Sequence, residues 1–142
     1  MIAQVRSPEE ALAAGCAILE PVLAPHGFVW VPGAAGHSSG GSSASGSFVR
    51  GTRRLELHFR YSLGLVTYHL GETSLDHDSY MRVVLGAKPV NQYPGFSSDP
   101  MDGFHHLAHD LSEFGQTFLS GSDEEFIGIA SRARAEVRKR LP

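Results

Sequence analysis

Between Arg54 and Tyr61 every second residue is apolar. Leu55, Leu57, Phe59 and Tyr61 alternate with Arg54, Glu56, His58 and Arg60. Side chains on a strand point alternately to opposite faces, so this segment predicts a strand with one face in a core and the other in water. Ser62-Leu63-Gly64 supplies a turn, and Val66, Tyr68 and Leu70 alternate beyond it. Pairing Phe59 with Val66, Leu57 with Tyr68 and Leu55 with Leu70 gathers the large apolar groups on one face. A slip of one residue would set them against Thr67 and His69. In that register His58 faces Thr67 and Glu56 faces His69. Arg50-Gly51-Thr52-Arg53 reads as a tight turn that returns Phe48 opposite Leu55. The apolar run Phe28 to Val31 adds a further short strand.

Helices account for most of the rest. Ser7-Pro8-Glu9-Glu10 combines an N-cap, a proline at the first helical position and a capping-box glutamate. Leu12, Cys16, Leu19 and Leu23 follow at helical spacing, and Pro21 is expected to kink that helix. Ser74 is expected to cap a helix over 75–85. Asp99-Pro100 predicts another helix, with Phe104, Leu107, Leu111, Phe114 and Phe118 on one face and Gly121 after its end. Ser122-Asp123-Glu124-Glu125 opens the last helix with a second capping box and acid at the positive helix end. The fold class expected is α+β, in the order α-β-β-β-α-α-α. Its antiparallel meander has three to four strands, with helices packed on one face and the other face wet.

Two stretches lack periodicity. Residues 33–46 are nearly all Gly, Ala and Ser, with His37 among them. They match neither the phosphate-binding P-loop nor the dinucleotide fingerprint, and are expected to form a flexible loop. Residues 87–99 contain Pro89, Pro94 and Gly95 and predict an irregular connection.

The chain has 142 residues, enough for one domain spanning 1–142. With 12 Lys and Arg against 15 Asp and Glu, the balance argues against a general nucleic-acid binder, which needs a basic surplus. No apolar run approaches the ~20 residues of a membrane helix. A single cysteine, Cys16, permits no internal disulfide and fits a reducing compartment, and the N-terminus carries no signal-peptide pattern. A cytoplasmic location is therefore expected, with no membrane and no nucleic acid as partner.

Three constellations could carry chemistry. His105 and His109 stand four apart on one helix face, the spacing of a two-histidine metal site, with His106, Asp102, Asp110 and Glu113 nearby. The metalloprotease glutamate is missing, and an ordinary polar face with a His106–Asp110 pair explains them without a metal. The wet sheet face would present Arg54, Glu56, His58, Arg60, Thr67 and His69 together. A carboxylate beside His69 could serve acid/base chemistry, yet a mixed-charge row on an open face suits a protein partner better. The loop Asn91-Gln92-Tyr93-Pro94-Gly95-Phe96 offers amides and aromatics, and Asn91 and Tyr93 join the expected contact residues. No catalytic residue and no cofactor is assigned. Cys16, on the apolar face of its helix, reads as a core thiol.

Several segments together resemble a known kind of protein. They are a first helix running into Leu23-Ala24-Pro25-His26-Gly27-Phe28, a glycine-rich connection, Phe48-Val49-Arg50-Gly51, and a hairpin ending Thr67-Tyr68-His69-Leu70-Gly71. The later Phe114-Gly115, Phe118-Leu119 and Gly121 continue the pattern. The chain resembles small bacterial α+β proteins of the immunity type, encoded beside polymorphic toxins. The resemblance implies a non-enzymatic inhibitor that binds and neutralises a cognate toxin, and it implies no particular contact residues. The alternative reading is a small metal- or acid/base-dependent enzyme using a histidine-rich site.

Overall fold

The structure is a computed structural model that describes residues 7–38, 41–86 and 99–140. Helix α1 (Pro8–Leu23) starts where the capping box places it: Ser7 Oγ accepts from the Glu10 N–H, and the Glu10 carboxylate reaches back to the Ser7 N–H. The helix runs on through Pro21. A single 3-10 turn (Ala24–His26) follows and ends at Gly27, whose φ of 89° suits a residue without a side chain. Gly27 N–H donates to Ala24 O and Phe28 N–H to Leu23 O, the paired bonds of a Schellman stop.

Five antiparallel strands come next: β1 (Val29–Ser38), β2 (Gly41–Arg50), β3 (Arg53–Phe59), β4 (Leu63–Leu70) and β5 (Thr73–Asp76). They pair in chain order as one meander. Among the described residues the three to four strands expected become five: two of them are longer than expected and a further one, β5, is added. First, the loop expected over 33–46 is largely strand, with β1 and β2 paired from Val29↔Val49 to Ser38↔Gly41 through a shift between Pro32 and Ala35. Small residues serve there because Trp30 lies across β2. A Cβ on Gly46 would sit 2.4 Å from the Trp30 ring, and that ring meets Phe48 at 5.1 Å. Second, Thr73–Asp76 is a strand rather than the first turn of a helix. Asp76, not Ser74, caps the helix that follows, α2 (His77–Leu85), by accepting from the Ser79 N–H at 3.1 Å.

The register of β3 on β4 differs from the expected one by two residues. Leu55 faces Tyr68, Leu57 faces Val66 and Phe59 faces Leu63. Consequently Arg54 faces His69 and Glu56 faces Thr67. A shift of two leaves every side chain on its expected face, and Leu55, Leu57, Phe59, Val66, Tyr68 and Leu70 are all buried. Gly64 and Leu65 lie between the Leu63 and Val66 pairs, opposite His58 alone. The resulting bulge lengthens β4 relative to β3. Tyr61, expected on the apolar face, lies past the end of β3 and is 76% exposed.

Helix α3 (Asp102–Phe114), a short helix α4 (Gln116–Leu119) and helix α5 (Asp123–Arg140) complete the chain. The single helix expected from Asp99 to about Ser120 is broken at Gly115, where a Cβ would meet the Leu111 carbonyl at 2.6 Å. The Ser122 capping box forms as expected. Helix α1 packs on β1 to β3 and on α3, while α2 and α5 pack on β4 and β5. Between helices and sheet, Tyr68 sits amid the rings of Tyr80, Phe118 and Phe126. Two arginines at the β2–β3 turn tie the sheet to the α4–α5 connection. Arg50 donates to His26 O and Leu119 O, and the buried Arg53 donates to Phe118 O and Gly121 O and pairs with Asp123 at 2.9 Å.

Candidate functional site

Because the helices pack on one side of the sheet, the outward side chains of its central strands form a surface that no described helix covers. Two rows cross it from β1 to β5. One reads Val29, Val49, Arg54, His69, Ser74; the next reads Val31, Ser47, Glu56, Thr67, Asp76. The surface is therefore apolar at its β1 end, charged in the middle and rich in hydroxyls and acid at its β5 end. Val29 is 66% exposed and Val31 48%.

Glu56 is the hub of the middle region. Its Oε1 lies 2.7 Å from His69 Nε2, its Oε2 lies 2.7 Å from His58 Nε2, and Arg54 Nη1 stands 3.6 Å away. Arg54 also donates to the buried Ser47 hydroxyl. Partial burial pushes the Glu56 carboxyl upward. Hydrogen bonds from His58 and His69, with the charges of His58 and Arg54, outweigh burial and hold it below the ordinary glutamate value. Glu56 and His69 thus meet as the sequence suggests, but diagonally rather than face to face. Arg60 is not brought into the row: it lies beyond β3, in a turn closed by its N–H on Ser62 O.

At the β5 end the surface runs into an open groove of about 520 Å³, lined by Thr67, Ser74, Asp76, Ser79 and Arg134 over Leu75 and Ala133. Sequence reasoning missed this groove, since nothing local signals that α5 passes beside β5.

A second polar group lies inside the fold. Tyr68 Oη is 2.6 Å from His77 Nδ1, and His77 Nε2 is 2.9 Å from Asp110 Oδ2. All three residues are buried. Asp110 is thus a core partner of His77 rather than part of a polar helix face with His106. The other Asp110 oxygen has no hydrogen-bond partner among the described residues, although His109 Nδ1 stands 3.6 Å from it. A cavity of about 110 Å³ adjoins His77, between the Leu63–Val66 segment and Asp76 and Asp78. Tyr68 is buried among aromatic rings, and this chain of bonds joins β4, α2 and α3.

His105 and His109 lie exposed on α3. Among the described residues, no three His, Cys, Asp or Glu side chains are arranged to hold a metal ion. Cys16 is buried, and burial together with the nearby Glu20 charge pushes its thiol up to about 12, which keeps it protonated at neutral pH. Asn91 and Tyr93 lie outside the described residues. No described helix is long and apolar enough to cross a membrane. No protein-family model matches the chain, and no curated protein or solved structure is detectably similar to it.

Proposed function

We propose that the chain is a non-enzymatic binding protein that docks a protein partner on the outer face of its sheet. The carrying observation is the arrangement around Glu56. Two histidines and an arginine hold one carboxylate in place beside exposed Val29 and Val31. An ordered surface of mixed sign next to an apolar strip is what a specific protein interface needs, with the apolar part for affinity and the charges for selection. The partner proposed is a bacterial toxin that the chain neutralises in the cytoplasm, in keeping with the sequence resemblance to immunity proteins. The proposal is tested by co-producing the chain with the product of its neighbouring gene. A stoichiometric complex and relief of that product's toxicity are expected. A toxic neighbour that neither binds the chain nor is relieved by it would defeat the toxin reading.

The alternative, a small acid/base- or metal-dependent enzyme with a histidine-rich site, is favoured by the 2.7 Å contact of His69 with Glu56 beside the groove. Zinc titration of the purified chain separates the metal form of this reading from the binding reading. One tightly held ion lost in a His105→Ala, His109→Ala variant supports the enzyme.

A further inference from the structure

Among the described residues, strand β5 is an edge strand, paired with β4 alone. It joins β4 through the two-residue turn Gly71-Glu72, with Leu70 opposite Thr73. In a two-residue hairpin the pair flanking the turn exchanges both hydrogen bonds, and bonded and non-bonded pairs alternate from there. Leu70 and Thr73 are therefore a bonded pair, His69 and Ser74 a non-bonded one, and Tyr68 and Leu75 bonded again. The Ser74 N–H and C=O consequently point away from β4, toward the free edge. Ser74 is exposed and lines the groove between β5 and α5.

The walls of that groove define what could lie against Ser74. Arg134, exposed on α5, has no ion pair or hydrogen bond among the described residues. The hydroxyls of Thr67, Ser74 and Ser79 stand near it. Asp76 is committed to capping α2, with its oxygens on the Ser79 N–H and hydroxyl. The groove thus offers one backbone donor, one backbone acceptor and one cation over an apolar floor of Leu75 and Ala133. One residue of an extended strand satisfies the first two with its own N–H and C=O, and an acidic side chain satisfies the third. A small anion would engage Arg134 and leave the Ser74 backbone groups to water.

We infer, on the footing of the protein-partner reading above, that this groove receives a short extended segment of the partner carrying an acidic residue. The segment adds to β5 as a sixth strand, antiparallel to it, through the Ser74 backbone. Its carboxylate meets Arg134. The groove adjoins the outer face through Thr67 and Ser74, so one partner can occupy both surfaces.

The probe is the capped peptide acetyl-Thr-Val-Glu-Val-Thr-amide, with versions carrying Gln or Lys at the centre and one N-methylated at the central residue. Binding to the full chain is followed by amide chemical shifts of Ser74, Leu75 and Arg134. The Glu peptide is expected to shift these resonances saturably and to bind roughly three- to fivefold more tightly than the Gln peptide, the size of an exposed ion pair. The Lys peptide should bind more weakly still, and Arg134→Glu should reverse that order. N-methylation should abolish the shifts at Ser74. No shift with any peptide overturns the inference, as does equal binding of the Glu and Lys peptides. Unchanged binding of the N-methylated peptide overturns strand addition and leaves a simple anion site. Val31→Asp, on β1 at the opposite side of the sheet, should leave these shifts intact, so a failure here is distinguishable from a failure of the outer face as an interface.

Discussion

His77 and Asp110, 33 residues apart in the chain, meet in the core with Nε2 2.9 Å from Oδ2. Tyr68 closes the other side of the imidazole at 2.6 Å, so both ring nitrogens are engaged. An Asp110→Ala variant strands a buried donor, which costs about 1–3 kcal/mol for the desolvated group alone. Asp110→Asn keeps an acceptor and should lose less. Urea unfolding of the two variants checks this order. An alanine variant as stable as the parent would show that the pair contributes nothing net.

Gly15 stands against Phe104 where α1 crosses α3, and a Cβ there would lie 2.3 Å from the ring. Gly15→Ala gains about 1 kcal/mol of helix propensity. The buried ring has little room to retreat, and overpacking of this kind costs about 1–3 kcal/mol or more. A net loss of stability is expected, measurable as a lowered thermal midpoint. A raised midpoint would mean that the helices separate freely.

Gly46 is crowded in the same way beneath Trp30, the only tryptophan of the chain. Gly46→Val should displace the indole, lower stability by about 1–3 kcal/mol and shift Trp30 emission to the red. Unchanged emission would contradict the β1–β2 ladder and restore the sequence expectation of a loop.

Glu56 links stability to pH. Its carboxyl is held below the ordinary glutamate value in the folded chain. The bonds to His58 and His69 therefore stabilise fully above the unfolded-state value, and that contribution is lost as pH falls through the lower folded-state value. Glu56 is partly exposed, so the contribution is under about 1 kcal/mol. The difference in stability between the parent and Glu56→Gln should be largest near neutrality and shrink on acidification. A difference that grows on acidification would reverse the sign assigned here.

Where the sequence was legible, local chemistry decided the outcome. The capping boxes at Ser7 and Ser122 and the turn at Gly51 are set by residues within four positions of each other. The apolar face of Leu55, Leu57 and Phe59 is set by period alone. Register was not legible, because a shift of two keeps every face, and the bulge at Gly64 and Leu65 that fixes it has no apolar signature. The strand over 41–46 was hidden because its inward residues, Ala44 and Gly46, are small, Gly46 making room for the tryptophan of the neighbouring strand. Strand β5 has four residues and one buried apolar side chain, too little pattern to distinguish it from a cap. The row Arg54, Glu56, His58, Thr67 and His69 could be read from alternation. The groove, the Arg53 contacts and the His77–Asp110 pair join residues distant in the chain, and no local spacing reports them.

The central claim is that the outer face is an interface, and a double variant tests it most directly. Val29→Asp and Val31→Asp place charge on two exposed apolar groups of that face. Both point away from the core, so circular dichroism and the thermal midpoint should stay near those of the parent. Calorimetric titration with the co-purified partner should show affinity reduced by about tenfold or more, the effect of removing one significant contact residue. A folded variant that binds the partner with parental affinity would contradict the claim and place the interface elsewhere on the chain.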